Sequence, residues 1–480
     1  MKPTYSKVDG AVNKTHVLAI VLASYFVILL DTSIVITGLP EIRFAFGLTT
    51  TELSWVQNAY TLSFGGFMML GARAGDLVGR KRMFMIGLTL FTLTSLVIGL
   101  APNATTMFIA RAVQGMGAAI LAPSTLALLS IYFSEGEERT KVLSYYAATA
   151  GVGASLGLVA GGVFAGWLTW RVGFLVNVPV GVVLMFAGQK VLKESETHIG
   201  SFDFIGALTS TVGMTLLVFG IVESASLGWG NVITQASLLI AVILLTVFFV
   251  HEAKAEQPIL PLRLFNSRER VGAYLARMLF LGSMVSFFFF STQFMQGVLG
   301  FTPVEAGLGF LPFTIPTFFS SRMVPRFTKR IGNQGVMYIA FVFLLVGLIG
   351  LSMVTAQSSY LYGLAIPMLI IGFGNGAALG PLTIAGVAGV EKEDTGAASG
   401  LVNVAHQLGG SLGLSVLVVV FASASTPNLD GELLLAHQIS AAYHGSVWMI
   451  VGAIAIMLLL NFIPSVLVKY GVLMKSVQQP

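Results

Sequence analysis

Runs of about twenty apolar residues recur fourteen times along this 480-residue chain, and nothing else in it limits the fold so severely. A helix rises 1.5 Å per residue, so each run is long enough to cross the ~30 Å hydrocarbon core of a bilayer. The runs fall at roughly 17–39, 53–72, 83–101, 105–131, 142–167, 170–192, 204–226, 231–250, 271–297, 303–325, 335–356, 360–388, 397–421 and 443–467. Inside hydrocarbon each backbone amide must be satisfied by the protein, and segments of this length do so as helices. Charged residues form only 10% of the chain, against about 25% in soluble domains. The sequence therefore predicts an all-α integral membrane protein with fourteen transmembrane helices. Fifty-four glycines suit helices that meet through small residues. The absence of cysteine excludes disulfides, thiolate metal sites and cysteine nucleophiles.

Fourteen spans put both ends of the chain on one side, and the basic residues choose it. Twenty-two of the 26 lysines and arginines fall in the N-terminal segment, in the even-to-odd connections or in the C-terminal tail. By the positive-inside rule that face is cytoplasmic. The +5 net charge is thus sorted by membrane side and does not indicate nucleic acid. MKPTYSKVDGAVNKTH, ahead of the first run, lacks a small-residue cleavage site, so that run is read as a retained span.

The chain also repeats itself. GMGAA (from Gly115) in span 4 returns as GNGAA (from Gly374) in span 12, 259 residues on. Gly157 and Gly161 of span 5 return as Gly409 and Gly413, 252 residues on, and DLVGRKR with Gly79 has a worn copy in FTKRIGN with Gly332, 253 residues on. Three similar offsets in the same order imply two six-helix bundles, 17–192 and 271–467. They are joined by a 193–270 linker carrying spans 7 and 8, and flanked by cytoplasmic ends at 1–16 and 468–480. Paired membrane-embedded repeats are a transporter architecture, with the substrate site between them near the midplane.

Asp31 interrupts the apolar run VILLDTSIVITGLP, and Arg111 lies within span 4. A charge near the bilayer centre costs at least ~2.5 kcal/mol. Shifted by the repeat, Asp31 falls near Ser283 and Met284 and Arg111 on Ile370, so bundle architecture requires neither charge. Counted at 1.5 Å per residue, Asp31 lies ~9 Å and Arg111 ~8 Å from the outer face, close enough to couple directly or through Gln114. Asp31 is read as a carboxyl that alternates between protonated and ionised forms; the alternative is a permanently satisfied structural acid. Arg111, which does not deprotonate in proteins, either tunes a neighbouring acid or is a fixed cation on backbone carbonyls.

Other positions carry weaker signals. Gly153, Gly157 and Gly161 recur every four residues, which favours close helix approach, with a hinge as the secondary role. FFFFSTQFMQ (Phe287 to Gln296) offers aromatic faces suited to a lipophilic cation, although phenylalanine facing lipid is as common. Residues Tyr60, Asn177, Phe289, Gln293, Gln296 and Asn403 are candidates for a substrate cavity. Arg277, early in span 9, is expected to snorkel to the cytoplasmic interface. Glu305 and Glu223, at outer ends, are read as solvated acids.

The loop GARAGDLVGRKRMF resembles the signature loop of the major facilitator superfamily. LDTSIVITGLP, ELSWVQNAYTL, RAVQGMGAA, WRVGFLVNVPVG, GFTPVEAG and SGLVNVAHQLGGSLG resemble its 14-helix drug:proton antiporter branch, the quaternary-ammonium and multidrug exporters. The resemblance covers nearly the whole chain. It implies a major facilitator fold in a bacterial cytoplasmic membrane, acting as a monomer with no cofactor beyond the proton gradient. It further implies proton and cation handling at Asp31, proton coupling at Arg111, and a conformational latch made by Asp76, Gly79, Arg80 and Lys81. Three positions depart from the family pattern: Ala72 where the loop usually has glycine, Leu158 where span 5 usually has proline, and His406 where span 13 often has arginine. His406 is either a second protonation site or a neutral hydrogen-bonding residue.

The function these readings favour is a proton-driven exporter of lipophilic, cationic compounds, with protons and cargo competing for Asp31. An exporter of a neutral or anionic metabolite, such as an antibiotic or fatty acid, keeps the fold and changes the cargo. A membrane-embedded enzyme would need clustered acid and histidine ligands or a Ser-His-Asp set, and the six histidines are scattered. No G-x-x-x-x-G-K-[ST] phosphate loop is present.

Overall fold

The computed structural model describes residues 13–134, 136–195, 203–255, 258–391 and 394–469. The expected terminal segments thus lie mostly outside the described residues. Among these residues the elements are helical. The first half comprises α1 (Lys14–Phe46), a one-turn α2 (Thr50–Leu53), α3 (Trp55–Val78), α4 (Arg80–Gly99), α5 (Ala104–Tyr132), α6 (Glu137–Val163), α7 (Trp170–Leu175) and α8 (Asn177–Val191). The connecting pair is α9 (Phe204–Leu227) and α10 (Val232–Glu252). The second half comprises α11 (Arg268–Gly297), a short α12 (Pro303–Leu308), α13 (Leu311–Ser352), α14 (Ile366–Gly386), α15 (Thr395–Ser423) and α16 (Gly431–Lys469).

The 42-residue α13 makes two crossings, not one. Gly332 breaks it with φ 75° and ψ 168°, and Phe313 before the break and Ala340 after it both press on the same stretch of α14, at Gly372 and Gly374. With α7 and α8 together making one crossing, fourteen spans result, as the sequence predicts. Gly79 opens the matching loop of the first half with φ 113° and ψ 138°, a conformation that a side chain rarely adopts. Capping boxes repeat as well: Thr49 with Glu52 ahead of α3, and Thr302 with Glu305 ahead of α13. In each, the threonine hydroxyl accepts from the glutamate N–H while the carboxylate accepts from the threonine N–H. Glu305 is therefore a helix cap.

Packing corrects the register of the repeat. Gly115 lies against the Tyr60 carbonyl of α3, and Gly372, not Gly374, lies against the Phe313 carbonyl of α13. Gly117 meets Phe91 on α4 as Gly374 meets Leu344. Likewise Leu30 and Ile34 of α1 approach Gly157 and Gly161, while Met278 and Gly282 of α11 approach Gly409 and Gly413. The counterpart of Arg111 is therefore Met368, not Ile370, and that of Asp31 is Leu279, not Ser283 or Met284. The glycine word GMGAA matched GNGAA two residues out of register because it carries glycines on two adjacent faces of the helix. The corrected counterparts are also uncharged.

Gly153, Gly157 and Gly161 form the seam between α6 and α1; a methyl on Gly157 would stand 2.6 Å from the Ser33 Cβ. Leu158 leaves α6 unbroken to Val163, and a π-helical turn at Phe164–Leu168 follows instead. The halves meet along α3 and α15, where Asn58 donates to Ser415 Oγ (3.0 Å) and accepts from Ser411 Oγ (2.9 Å). They also meet at the face opposite residue 14: Gln296 donates to the Thr37 carbonyl (3.0 Å), and Gly307 of α12 abuts the Leu158 carbonyl of α6. The α9–α10 pair does more than connect. Val218 and Val222 of α9 pack with Leu62 of α3 and with Leu408 and Leu412 of α15, and Thr211 presses on Gly66. The insert thus covers the seam where the two halves touch.

Backbone runs against backbone where Gly413 meets Gly282, so no flexible side chain is present to give way. Gly413→Val is expected to destabilise the purified protein by ~1–3 kcal/mol, the usual range for overpacking. Gly396→Ala, with nothing within 4 Å, is expected to be neutral or mildly stabilising; thermal unfolding in detergent compares the two.

Candidate functional site

Asp31, Arg111 and Gln114 meet in the core of the first half. Asp31 and Arg111 are both 0% exposed. Arg111 Nη1 donates to Asp31 Oδ2 at 2.8 Å and to Gln114 Oε1 at 2.7 Å, and Arg111 Nε donates to the Val56 carbonyl at 3.0 Å. The second carboxylate oxygen, Asp31 Oδ1, accepts from Gln114 Nε2 (2.9 Å) and from Asn177 Nδ2 (2.8 Å). Ser95 Oγ on α4 accepts from both amides in turn (2.8 and 3.4 Å). The guanidinium lies 4.3 Å from the Tyr60 ring centroid and 5.7 Å from that of Phe174, so apolar π-faces close the cluster. Polar groups from α1, α3, α4, α5 and α8 thus converge on one ion pair. Spacing put Arg111 and Gln114 on one face of α5; Asn177 and Ser95 complete the site from helices where only their polarity within apolar runs marked them.

The six residues expected to line a cavity separate. Tyr60, Asn177, Phe289 and Gln293 are buried within the halves. Tyr60 and Asn177 belong to the ion-pair cluster, and Phe289 is part of an aromatic core in which Phe287 packs against Phe310 and Phe313 and Phe290 stacks on Phe421. FFFF is therefore largely a core-forming run. Gln296 bridges the halves, and Asn403 is exposed.

A second polar centre lies in the other half. Arg277 does not snorkel. It stands nine residues into α11, or ~14 Å of helix, too far from the end to reach water along its own helix, and is 6% exposed. Its Nη1 donates to Thr383 Oγ1 (2.9 Å) and its Nη2 meets His406 Nδ1 at 3.2 Å. Nδ1 of His406 must act as the acceptor there, which puts the ring proton on Nε2 and leaves the imidazole neutral in this arrangement.

At the α3–α4 loop, Arg80 pairs with Asp76 and donates to the Ala72 carbonyl (3.2 Å). A main-chain carbonyl serves there, so alanine in place of glycine keeps the contact. Nothing in the sequence marks Glu194, which follows α8. Its carboxylate accepts from the N–H groups of Lys81 (2.9 Å) and Arg82 (3.0 Å) at the start of α4, where the helix dipole favours an anion. Lys81 Nζ donates to the Gln189 carbonyl (3.0 Å), so the loop is fastened to the end of α8.

Removing one member of a buried ion pair strands the other, typically at ~3–5 kcal/mol. The remaining acid can neutralise itself by taking up a proton, and the remaining arginine cannot. Asp31→Asn is therefore expected to lower thermal stability more than Arg111→Gln. The double substitution is expected to cost less than the two single costs added, and a double-mutant cycle on unfolding free energy checks both points.

The sequence profile of the Major Facilitator Superfamily matches residues 21–414. The chain is 37% identical over 417 residues to the cephamycin export protein CmcT of Amycolatopsis lactamdurans, covering 86% of each chain. It is 33% identical over 463 residues to the puromycin resistance protein pur8 of Streptomyces alboniger, covering 94% of this chain and 90% of that one. Among solved structures, a bacterial homolog of the human lysosomal transporter Spinster, inward-facing and unoccupied, superposes with a TM-score of 0.67 at 14% identity, over 96% of this chain and 97% of that one. The peptide transporter POT in complex with sulfate superposes with a TM-score of 0.65 at 14% identity, over 94% and 99%. These two likenesses concern the fold. With a profile matched from the first helix into the fifteenth and relatives aligned nearly end to end, the chain belongs to the major facilitator superfamily.

Proposed function

We propose that this protein is a proton-coupled antiporter that exports lipophilic drugs across the cytoplasmic membrane by alternating access, as a monomer and with both termini cytoplasmic. The relatives named for cephamycin export and puromycin resistance support drug export. The observation that carries proton coupling is the buried Asp31–Arg111 pair, present in one half and replaced by Leu279 and Met368 in the other. In this reading the contacts that close the face opposite residue 14 belong to the cytoplasm-facing state of the cycle. Asp31 is ionised here, with both oxygens engaged. When the opposite face opens, an external proton neutralises Asp31, the bond to Arg111 weakens, and cargo leaves outward. Return to the closed state delivers the proton to the cytoplasm.

Cationic cargo, as the sequence favours, gains from Asp31 only after Arg111 has turned away, because no carboxylate oxygen is left unpaired. Coupling therefore runs through the arginine. A neutral or anionic cargo is the second reading. It is favoured by Arg277, a buried cation that reaches a hydroxyl and an imidazole.

Efflux of preloaded ethidium from cells is the test. Wild type is expected to clear it at least tenfold faster than vector controls, and to stop with a protonophore or on Asp31→Asn at matched protein levels. Efflux that survives the protonophore sinks proton coupling. Efflux no faster than vector, with a carboxylate drug still exported, selects the second reading.

A further inference from the structure

Arg111 in the first half and Arg277 in the second are both buried, and only one of the two has a counter-ion; Arg270, also buried, sits at the start of α11 on the Leu264 and Ala388 carbonyls. Arg111 faces Asp31. Arg277 makes no ion pair among the described residues; its Nη1 reaches Thr383, its Nη2 reaches His406, and its buried Nε has no partner. Neither partner supplies negative charge. The Thr383 hydroxyl donates to the Leu379 carbonyl of its own helix (2.8 Å), so it can offer Arg277 only a lone pair, and His406 is neutral. Arginine cannot discharge itself, and an ion held out of water with no counter-ion is strongly disfavoured. A cation kept at that cost in an apolar half is a receptor for an anion.

Its position fits a cargo site. Arg277 lies two residues before Leu279, the counterpart of Asp31, so the two polar centres occupy matching levels of the two halves. Thr383 and Asn403 are exposed, which marks the side on which the cluster opens. Gln407, next to His406, stands against Gly65 of α3, which puts the cluster beside the junction of the halves, where cargo moves in an alternating-access cycle. From these observations we infer that Arg277, with Thr383 and His406, binds the carboxylate of a lipophilic cargo. The planar guanidinium fork, with Nε and Nη2 on one edge, matches a carboxylate in geometry. The inference rests on the drug-export reading and develops the second of its two cargo classes, the anionic one. Protons and cargo then occupy different halves.

The test is equilibrium binding to the full chain in nanodiscs of zwitterionic lipid, with empty discs subtracted. Radiolabelled 2-naphthoate and its methyl ester share a ring system and differ in charge. Wild type is expected to bind the carboxylate at least tenfold more tightly than the ester. Arg277→Gln is expected to bring the two within about twofold, and Arg277→Lys to keep part of the preference. Equal affinity of wild type for acid and ester overturns the inference without any variant having to fold. So does an Arg277→Gln protein with wild-type unfolding temperature that keeps the preference. A preference abolished by 10 mM chloride also overturns it, since the site is then one for small inorganic anions. No gradient is present in this assay, so its failure leaves proton coupling untouched, and failure of the ethidium experiment leaves this result standing.

Discussion

The buried pair of Asp31 and Arg111 is the interaction on which the first half is organised. Two charges that each lose their hydration can be tolerated only if the remaining lone pairs and donors are also met. Gln114, Asn177, Ser95 and the Val56 carbonyl meet most of them, while Arg111 Nη2 and Asn177 Oδ1 have no partner among the described residues. The geometry is mutually dependent. Gln114 bridges the partners, accepting from Arg111 and donating to Asp31, so neither charge can shift without breaking an amide contact as well. A network that engages both carboxylate oxygens is rigid while charged, and a single proton on Asp31 is the smallest change that undoes it.

In the proposed cycle that change lies close to the surface that moves. Arg111 donates to Val56 on α3, and two residues further along, Asn58 ties α3 to Ser411 and Ser415 of α15 in the other half. The α9 helix overlies the same seam. The state of the ion pair and the contact between the halves are thus linked through one helix turn. Spatial adjacency alone does not establish energetic coupling, but here the link is a backbone carbonyl within a rigid helix, which transmits displacement without needing a chain of side chains. The loop at Asp76 and Arg80 stands at the other end of α3, fastened to Glu194, so α3 is held at both ends by charged groups.

Much of this was legible in the sequence because bilayers penalise exceptions. A carboxylate or guanidinium in an apolar run is conspicuous, which is why Asp31 and Arg111 stood out, and 1.5 Å per residue sufficed to place them at one depth. Span number followed from length, and the twofold repeat from glycines that backbone contact requires. What sequence could not supply was rotation about each helix axis. GMGAA and GNGAA look identical in register and present different faces; Arg277 appears near an interface until its helix is seen to begin nine residues earlier; Phe289 and Gln293 suit a cavity as well as a core. Ser95 and Glu194 gave no signal because serine is common in transmembrane helices and a glutamate after a span reads as solvated. Each of these depends on which neighbour a side chain meets, and periodicity in a uniformly apolar helix carries little of that information.

The asymmetry of the halves follows from the same physics. Two copies of one ancestral bundle would pay for two buried charge clusters if each had to be self-neutral. Here the first half holds an acid and a base that neutralise each other, and the second holds Arg277 with no ion pair among the described residues, with Leu279 where the acid stands in the first. A self-neutral pair responds to a proton, because protonation is the only cheap way to change its charge. An unneutralised cation responds to an anion for the same reason. In the proposed antiport cycle the two clusters give the molecule two chemically distinct inputs, so that proton and cargo act on the same movement without having to share a single carboxylate.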